Sequence, residues 1–152
     1  MSRELIYDYS LGNNLRRFWR LFYRRERAKS RLSQRMLTFL INRSAQRHGG
    51  YIGWGAKIEG IPSLPHGLHG IYISRYARIG ANCRIYQGVT IGERDGKAPT
   101  IGEGCLIGAN ACVIGGITVG SGSKIGAGAV VAKDVPANST VVAAPPRIIV
   151  RG

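Results

Sequence analysis

Apolar residues recur at every sixth position along most of this chain. The series begins at Ile73, breaks after Ile91, resumes at Ile101 and ends at Val131. A period of six fits neither an α-helix, with 3.6 residues per turn, nor a long alternating strand. It predicts short strands joined by turns, with glycine or asparagine at the strained corners. Three such units close one triangular coil, and stacked coils bury a continuous apolar column.

Two insertions interrupt this repeat, which extends backward to Ile52 and covers about residues 51 to 136. The first adds residues between Leu64 and Ile73, and the second lies between Ile91 and Ile101. The core column has no room for extra residues, so both insertions must bulge outward as surface loops. The first loop contains two of the three histidines, and the second is the polar segment ERDGKAP at 93–99.

Apolar residues before the repeat follow a helical spacing instead. Leu15, Phe18, Trp19 and Phe22 fall at i, i+3, i+4 and i+7, which places them on one face of a helix that Asn13 or Asn14 could cap. A second amphipathic helix is predicted to start at Ser30 or Ser33 and to carry the residues Leu32, Met36, Phe39 and Leu40.

Glycine usage marks a boundary between the two patterns, because 21 of the 22 glycines follow residue 48. We therefore expect two units. Residues 1–48 form a basic amphipathic helical segment, and residues 49–152 form a repeat domain with a C-terminal tail.

Charge is concentrated in the helical segment. The chain has 22 Lys plus Arg against 8 Asp plus Glu, and residues 1–48 hold 12 of the basic side chains. The apolar helix faces are expected to pack on the protein or across a subunit contact; the alternative is a peripheral contact with an anionic membrane surface. Nucleic acid is not favoured, because no binding module accompanies the charge.

The cysteines and the hydropathy indicate where the protein works. Cys83, Cys105 and Cys112 form neither an even disulfide set nor a metal cluster, and no apolar run reaches the ~20 residues of a membrane span. No signal peptide is recognisable. We expect a soluble cytoplasmic protein, or one associated with the inner face of the membrane. Cys83 and Cys105 are predicted to stack as inert thiols in the inward column, with Cys112 facing outward.

Three segments carry a family resemblance: IYQGVTIG at 85–92, IGANACVIGGITVGSGSKIGAGAVVAKDVPANSTVV at 107–142, and PPRIIV at 145–150. With the six-residue repeat, they resemble hexapeptide-repeat acyltransferases, and most of all serine acetyltransferases and the related O-acetyltransferases of cell-surface saccharides. The resemblance implies a mainly β fold, a left-handed parallel β-helix. It also implies a homotrimer that binds acetyl-CoA in the groove between neighbouring subunits.

The same resemblance assigns cofactor residues. Ala109 and Ala127 are expected to line the pantetheine channel, where small side chains let the thioester arm approach the backbone. Lys133 and Arg147 are expected to bind the nucleotide phosphates, which require fixed positive charge.

Catalysis is assigned by resemblance to the first loop. His66 falls at the position of the family's catalytic histidine, and a neutral imidazole is suited to remove a proton from an acceptor hydroxyl. His69, Arg94 and Lys97 are candidate acceptor contacts. The chain departs from the serine enzymes at Tyr51 and Pro65, where they have aspartates. Its second loop is shorter than theirs and lacks a histidine. Their long helical N-terminal domain is also absent from this sequence.

The sequence thus predicts an acetyl-CoA-dependent O-acetyltransferase, serine acetyltransferase-like, in which a hydroxyl acceptor attacks the thioester directly. The acceptor alternatives are serine-like small molecules and a surface saccharide or its precursor. Less favoured alternatives are a non-catalytic trimeric scaffold and a zinc enzyme like the γ-type carbonic anhydrases. We expect no bound metal, because the three histidines do not recur in the later coils where that family's third ligand lies.

Overall fold

A computed structural model describes residues 15–145 together with 148 and 149. Two helices lead the described part of the chain: α1 spans Arg16–Arg27 and α2 spans Arg31–Arg47. The predicted cap of α2 is confirmed, because the Ser30 hydroxyl accepts a hydrogen bond from the Ser33 backbone N–H at 3.3 Å. The proposed caps of α1, Asn13 and Asn14, lie outside the described residues.

Short strands follow the helices. They are β1 Tyr51–Ile52, β2 Lys57–Ile58, β3 Tyr72–Ile73, β4 Arg78–Ile79, β5 Arg84–Ile85, β6 Thr90–Gly92, β7 Thr100–Ile101, β8 Leu106–Ile107, β9 Cys112–Ile114, β10 Thr118–Val119, β11 Lys124–Ile125, β12 Val130–Val131 and β13 Thr140–Val141.

All the strand pairings are parallel and join each strand to its equivalent one coil away. The first face of the prism contains β1, β3, β6, β9 and β12; the second contains β2, β4, β7 and β10; and the third contains β5, β8, β11 and β13. The predicted parallel β-helix is therefore confirmed. The stacking continues through β13, slightly beyond the predicted end of the repeat.

The second residue of each strand points inward and contributes to the core. Ile52, Ile73, Ile91, Val113 and Val131 stack along the first face, and each is at most 4% exposed. Hydrogen bonds between neighbouring coils satisfy the backbone N–H and C=O groups, and stacking removes the Ile and Val side chains from water. Each coil therefore depends on its neighbours to bury its apolar residues.

The outward residues distinguish the faces. The strands of the first face present only uncharged side chains, whereas the second presents Lys57 and Arg78 and the third presents Arg84 and Lys124. On the first face the first residues of the strands are Tyr51, Tyr72, Thr90, Cys112 and Val130. This face is therefore the one best suited to be buried in a contact, because its strands present no charged side chain.

Helix α1 covers the open end of the prism at the first coil. Phe18, Trp19 and Phe22 are at most 3% exposed and belong to the same core cluster as the β-helix. The Arg25 guanidinium donates to the Trp54 backbone carbonyl at 3.1 Å and lies 4.2 Å from the centroid of the indole ring. The predicted apolar face of α1 therefore packs on the protein itself.

Helix α2 packs on α1 and β1 but buries other residues than the sequence pattern predicted. Ile41 and Ala45 are buried, whereas Leu32 is 70% and Phe39 is 65% exposed. Met36 and Leu40 extend this exposed stripe. Within the described residues this stripe does not pack on the subunit, because α1 occupies the other side of the helix. The other predicted partners, a second subunit and an anionic membrane surface, stay predictions.

Candidate active site

One edge of the prism holds Ala109 and Ala127, two of the residues assigned to the cofactor. This edge, called the histidine corner here, joins the third face to the first and comprises residues 65–71, 86–89, 108–111 and 126–129. A regular hydrogen-bond ladder runs along it. The N–H of Gly88 donates to the His69 carbonyl at 2.9 Å, that of Asn110 to Gln87 at 3.0 Å, and that of Gly128 to Ala109 at 2.8 Å.

Equivalent bonds in successive coils define a column. The corner column consists of His69, Gln87, Ala109 and Ala127, one residue from each coil. The residue after each has a positive φ, between 57° and 71°, a conformation that glycine and asparagine tolerate. The sequence prediction for these turns is therefore confirmed at this corner.

The two histidines hold different positions within the first loop. His69 belongs to the corner column, and its Nδ1 lies 3.5 Å from where a Cβ on Gly49 would be. His66 is exposed three residues earlier, with its ring centroid 6.0 Å from that of Tyr86. Sequence reasoning did not single out Tyr86 as a neighbour of His66.

Gln87 is a feature that the sequence interpretation missed. Its side-chain oxygen Oε1 is buried, and no donor within the described part of the chain reaches it. The repeat itself holds a signal for this residue, because IYQG, IGAN and IGAG place Gln87, Ala109 and Ala127 at the same position of the repeat. A long polar side chain thus stands where the next two coils have alanine.

The predicted basic residues lie at a different edge, called the loop corner here, which joins the first face to the second. The 93–99 loop closes on itself through hydrogen bonds between the backbones of Arg94 and Lys97 at 2.9 and 3.1 Å. The Lys97 side chain packs against Gly116 of the next coil. Lys133 is exposed at this same edge. Arg147 lies outside the described residues.

A groove of about 420 Å³ runs over the upper coils of the first face. Tyr51 and Tyr72, which pair across β1 and β3, line one part of it. Ser74 donates its hydroxyl hydrogen to a Glu93 carboxylate oxygen at 2.6 Å in another part. The groove thus combines aromatic surface with hydrogen-bonding groups.

Gly92 differs from the other glycines that follow an inward apolar residue. A Cβ on Gly53, Gly80, Gly102, Gly108 or Gly120 would come closer than 3.0 Å to a neighbouring backbone, so these glycines are required by the packing of the coils. A Cβ on Gly126 would meet the Val141 carbonyl oxygen at 3.0 Å. A Cβ on Gly92 would meet nothing closer than the Thr90 methyl group at 3.6 Å. Gly92 therefore leaves the groove open without being required by the stack.

The cysteines contribute no chemistry to these corners. Cys83 and Cys105 are buried in the inward column one coil apart, since they precede the paired residues Arg84 and Leu106. Burial raises the pKa of the Cys83 thiol to about 11 and also raises the pKa of Cys105. Both thiols are therefore protonated and poorly nucleophilic near neutral pH.

Two further findings concern only the described residues. Residues 15–145, 148 and 149 contain no group of three or more His, Cys, Asp and Glu side chains placed to hold a metal ion. Neither helix in that part of the chain is long and apolar enough to cross a membrane.

Comparison with known proteins agrees with this architecture. The family described as bacterial transferase hexapeptide (six repeats) matches residues 98–133. The resemblance to the hexapeptide-repeat transferases is confirmed. The serine acetyltransferase of Bacillus pumilus is 48% identical over 92 residues, which cover 58% of this chain and 42% of the relative. That of Bacillus subtilis is 48% identical over 101 residues, which cover 64% and 46%.

Solved structures of serine acetyltransferases match the fold as well. A serine acetyltransferase of Entamoeba histolytica in complex with cysteine has a TM-score of 0.69 at 33% identity, covering 78% of this chain and 44% of that one. The enzyme of Neisseria gonorrhoeae in complex with serine has a TM-score of 0.67 at 40% identity, covering 74% and 47%. The chain therefore spans less than half the length of these relatives.

Proposed function

We propose that this protein is an acetyl-CoA-dependent O-acetyltransferase that works as a homotrimer. The observation that carries the proposal is the placement of the candidate residues on the two edges of one uncharged face. Ala109 and Ala127 lie in the corner column below the histidine loop, whereas Arg94, Lys97 and Lys133 lie at the loop corner. One subunit thus carries two halves of a site.

A cyclic trimer offers a way to join the halves. In a heterologous contact, one edge of a subunit meets a different edge of the next, and a three-fold rotation closes the ring. If the first face forms this contact, the loop corner of one subunit meets the histidine corner of its neighbour. The thioester arm then follows the alanines of one subunit, while Lys133 and Arg147 supply positive charge for the phosphates.

The chemistry we assign to this site is a direct transfer. The acceptor oxygen attacks the thioester carbonyl carbon as His66 removes its proton, and the C–S bond then breaks. The CoA sulfur leaves with the electron pair and takes the proton from the imidazolium, so His66 returns to its neutral form. His66 is exposed beside Tyr86, within reach of a ligand lying on the corner.

The trimer contact predicts a specific effect of charge on the first face. Val130 is 71% exposed in the subunit, so Val130→Asp leaves the fold intact but buries a carboxylate in the contact. We expect the variant to sediment as a monomer and to lose CoA binding. The control is Thr140→Asp, an exposed position in the same coil on the third face. A trimeric Val130→Asp, or a monomeric Thr140→Asp, would contradict this assignment of the face.

Two acceptor classes fit the groove on the first face. The serine acetyltransferases to which the chain is similar make serine one candidate, and Arg94 and Lys97 offer positive charge for a carboxylate. Tyr51 and Tyr72 favour a saccharide, because adjacent aromatic rings stack on the apolar face of a sugar while Ser74 and Glu93 hydrogen-bond to its hydroxyls.

Release of CoA from acetyl-CoA, measured with L-serine, nucleotide sugars and oligosaccharides in turn, tests the function and selects the acceptor. We expect turnover with a hydroxyl acceptor. Turnover confined to amines would defeat the O-acetyl assignment, and absence of CoA binding by the trimer would favour a scaffold.

We also propose that the protein works in the cytoplasm, with the exposed stripe of α2 free for a peripheral contact with an anionic membrane. Leu32, Met36 and Phe39 are exposed beside Arg31 and Arg35, which is the pattern of helices that lie on such surfaces. Co-sedimentation with phosphatidylglycerol vesicles but not with phosphatidylcholine vesicles is expected. Equal recovery with both, or with neither, would refute the contact.

A further inference from the structure

We infer that Gln87 is the residue that binds the pantetheine amide nearest the sulfur, and so sets the position of the thioester against the histidine loop. This inference rests on the proposed use of acetyl-CoA. Its starting point is the buried Oε1 of Gln87, an acceptor for which the described residues supply no donor. A buried carbonyl without a hydrogen bond destabilises the protein that contains it. Such a cost is retained where a ligand supplies the missing donor.

The position of Gln87 in the corner column indicates which group of the ligand donates a hydrogen bond to its Oε1. It stands one coil below His69 and one coil above Ala109, so an arm that passes Ala127 and Ala109 reaches Gln87 directly before the histidine loop. Its side chain is half-buried at the surface that such an arm would follow, and the buried Oε1 reaches the arm when the side chain turns toward it. His69 does not supply the donor, because no described residue hydrogen-bonds to that oxygen.

The distance from the CoA sulfur to its nearest amide nitrogen is similar to the distance between neighbouring coils. Two methylene groups separate the CoA sulfur from its nearest amide nitrogen, which is roughly 4 Å by standard bond lengths. Neighbouring strands of the stack are about 4.8 Å apart. With the acetyl thioester beside the histidine loop, that amide N–H therefore falls at the level of Gln87, where the amide oxygen can accept its hydrogen.

The structure provides a matched control for this argument. Asn42 in α2 has the other buried side-chain oxygen without a partner among the described residues, and it lies far along the chain from the corner column. Gln87→Met and Asn42→Leu each remove such an oxygen and replace it with apolar atoms of similar shape. We expect both to leave the melting temperature of the ligand-free protein unchanged or raised, because an unsatisfied group is lost.

Only Gln87→Met should affect the cofactor. We expect its Kd for CoA, measured by calorimetry, to rise roughly five- to twenty-fold, the factor given by one lost hydrogen bond. Asn42→Leu should bind CoA like the wild type. Gln87→Glu keeps an acceptor oxygen and should retain more CoA affinity than Gln87→Met.

Truncated acetyl donors give a measurement that would not change if Gln87 had only a structural role. S-acetyl-N-acetylcysteamine contains the amide in question, whereas S-acetyl-mercaptoethanol lacks it. The wild type should prefer the first by kcat/KM, and Gln87→Met should lose most of that preference.

The outcomes separate the two claims. A wild type that binds no CoA overturns the proposed function and this inference with it. A wild type that binds CoA, with Gln87→Met unchanged in affinity and donor preference, overturns this inference alone. A trimer that dissociates in Gln87→Met also overturns it, because the missing donor then belongs to a neighbouring subunit.

Discussion

Replacing His66 by alanine is expected to lower kcat by about 100-fold or more while leaving CoA affinity nearly unchanged. General-base catalysis contributes at least that factor when the base is positioned against the acceptor. The substitution removes no contact from the corner column, because His66 lies three residues before it and is exposed. Steady-state kinetics of CoA release, with CoA binding measured separately, tests this expectation.

His69→Ala is the comparison for that result. His69 holds the corner through its backbone carbonyl, which the substitution keeps, so the fold should survive. Its side chain is a candidate acceptor contact, and its loss should raise the KM for the acceptor more than it lowers kcat. If His69→Ala abolishes turnover and His66→Ala does not, the general base is the histidine of the column.

Replacing Phe22 by alanine is expected to lower the free energy of unfolding by about 3–5 kcal/mol, the range for a fully buried phenylalanine. Phe22 is 1% exposed, and its ring packs against Phe18, Trp19 and Tyr23 where α1 covers the first coil. Helix α1 covers this end of the stack together with α2, which contacts β1, so a cavity there also loosens the end of the stack. Urea unfolding followed by circular dichroism measures the loss.

Phe39→Ala is a matched control, since Phe39 is also on a helix but is 65% exposed. A change within about 0.5 kcal/mol is expected for it. If the two variants lose equal stability, then α1 does not hold the end of the prism, or an assembly contact buries Phe39.

The six-residue period was sufficient to predict the β-helix, because it fixes which residue of each unit points inward and where the chain must turn. Ile73 and Ile91 are stacked as predicted, and the 93–99 insertion is largely an exposed loop. The prediction that the first insertion lies outside the core is wrong, because Leu68 within it is fully buried in the core cluster. The same period predicted that Cys83 and Cys105 are stacked and buried.

The helices and the corner could be predicted only in part. The spacing of Phe18 and Phe22 predicted an apolar face, but an amphipathic pattern does not say which surface it covers, so the capping of the first coil was not foreseen. For the same reason, the exposure of Leu32 and Phe39 was not predicted. Likewise, Gln87 drew no attention because a polar residue at a turn is ordinary, and its missing partner is a property of the packed structure.

Under the proposed function, Gly92 gives the protein a means of changing its acceptor without rebuilding the stack of coils. Five of the six glycines at equivalent positions are fixed by neighbouring backbones, so a side chain at any of these five disturbs two coils. Gly92 is free of that constraint and lines the groove of the first face. A glycine codon becomes an alanine codon by one nucleotide change, so the depth of the groove can drift in related sequences at little cost in stability. Divergence of acceptor preference among such proteins is therefore expected to begin at this residue.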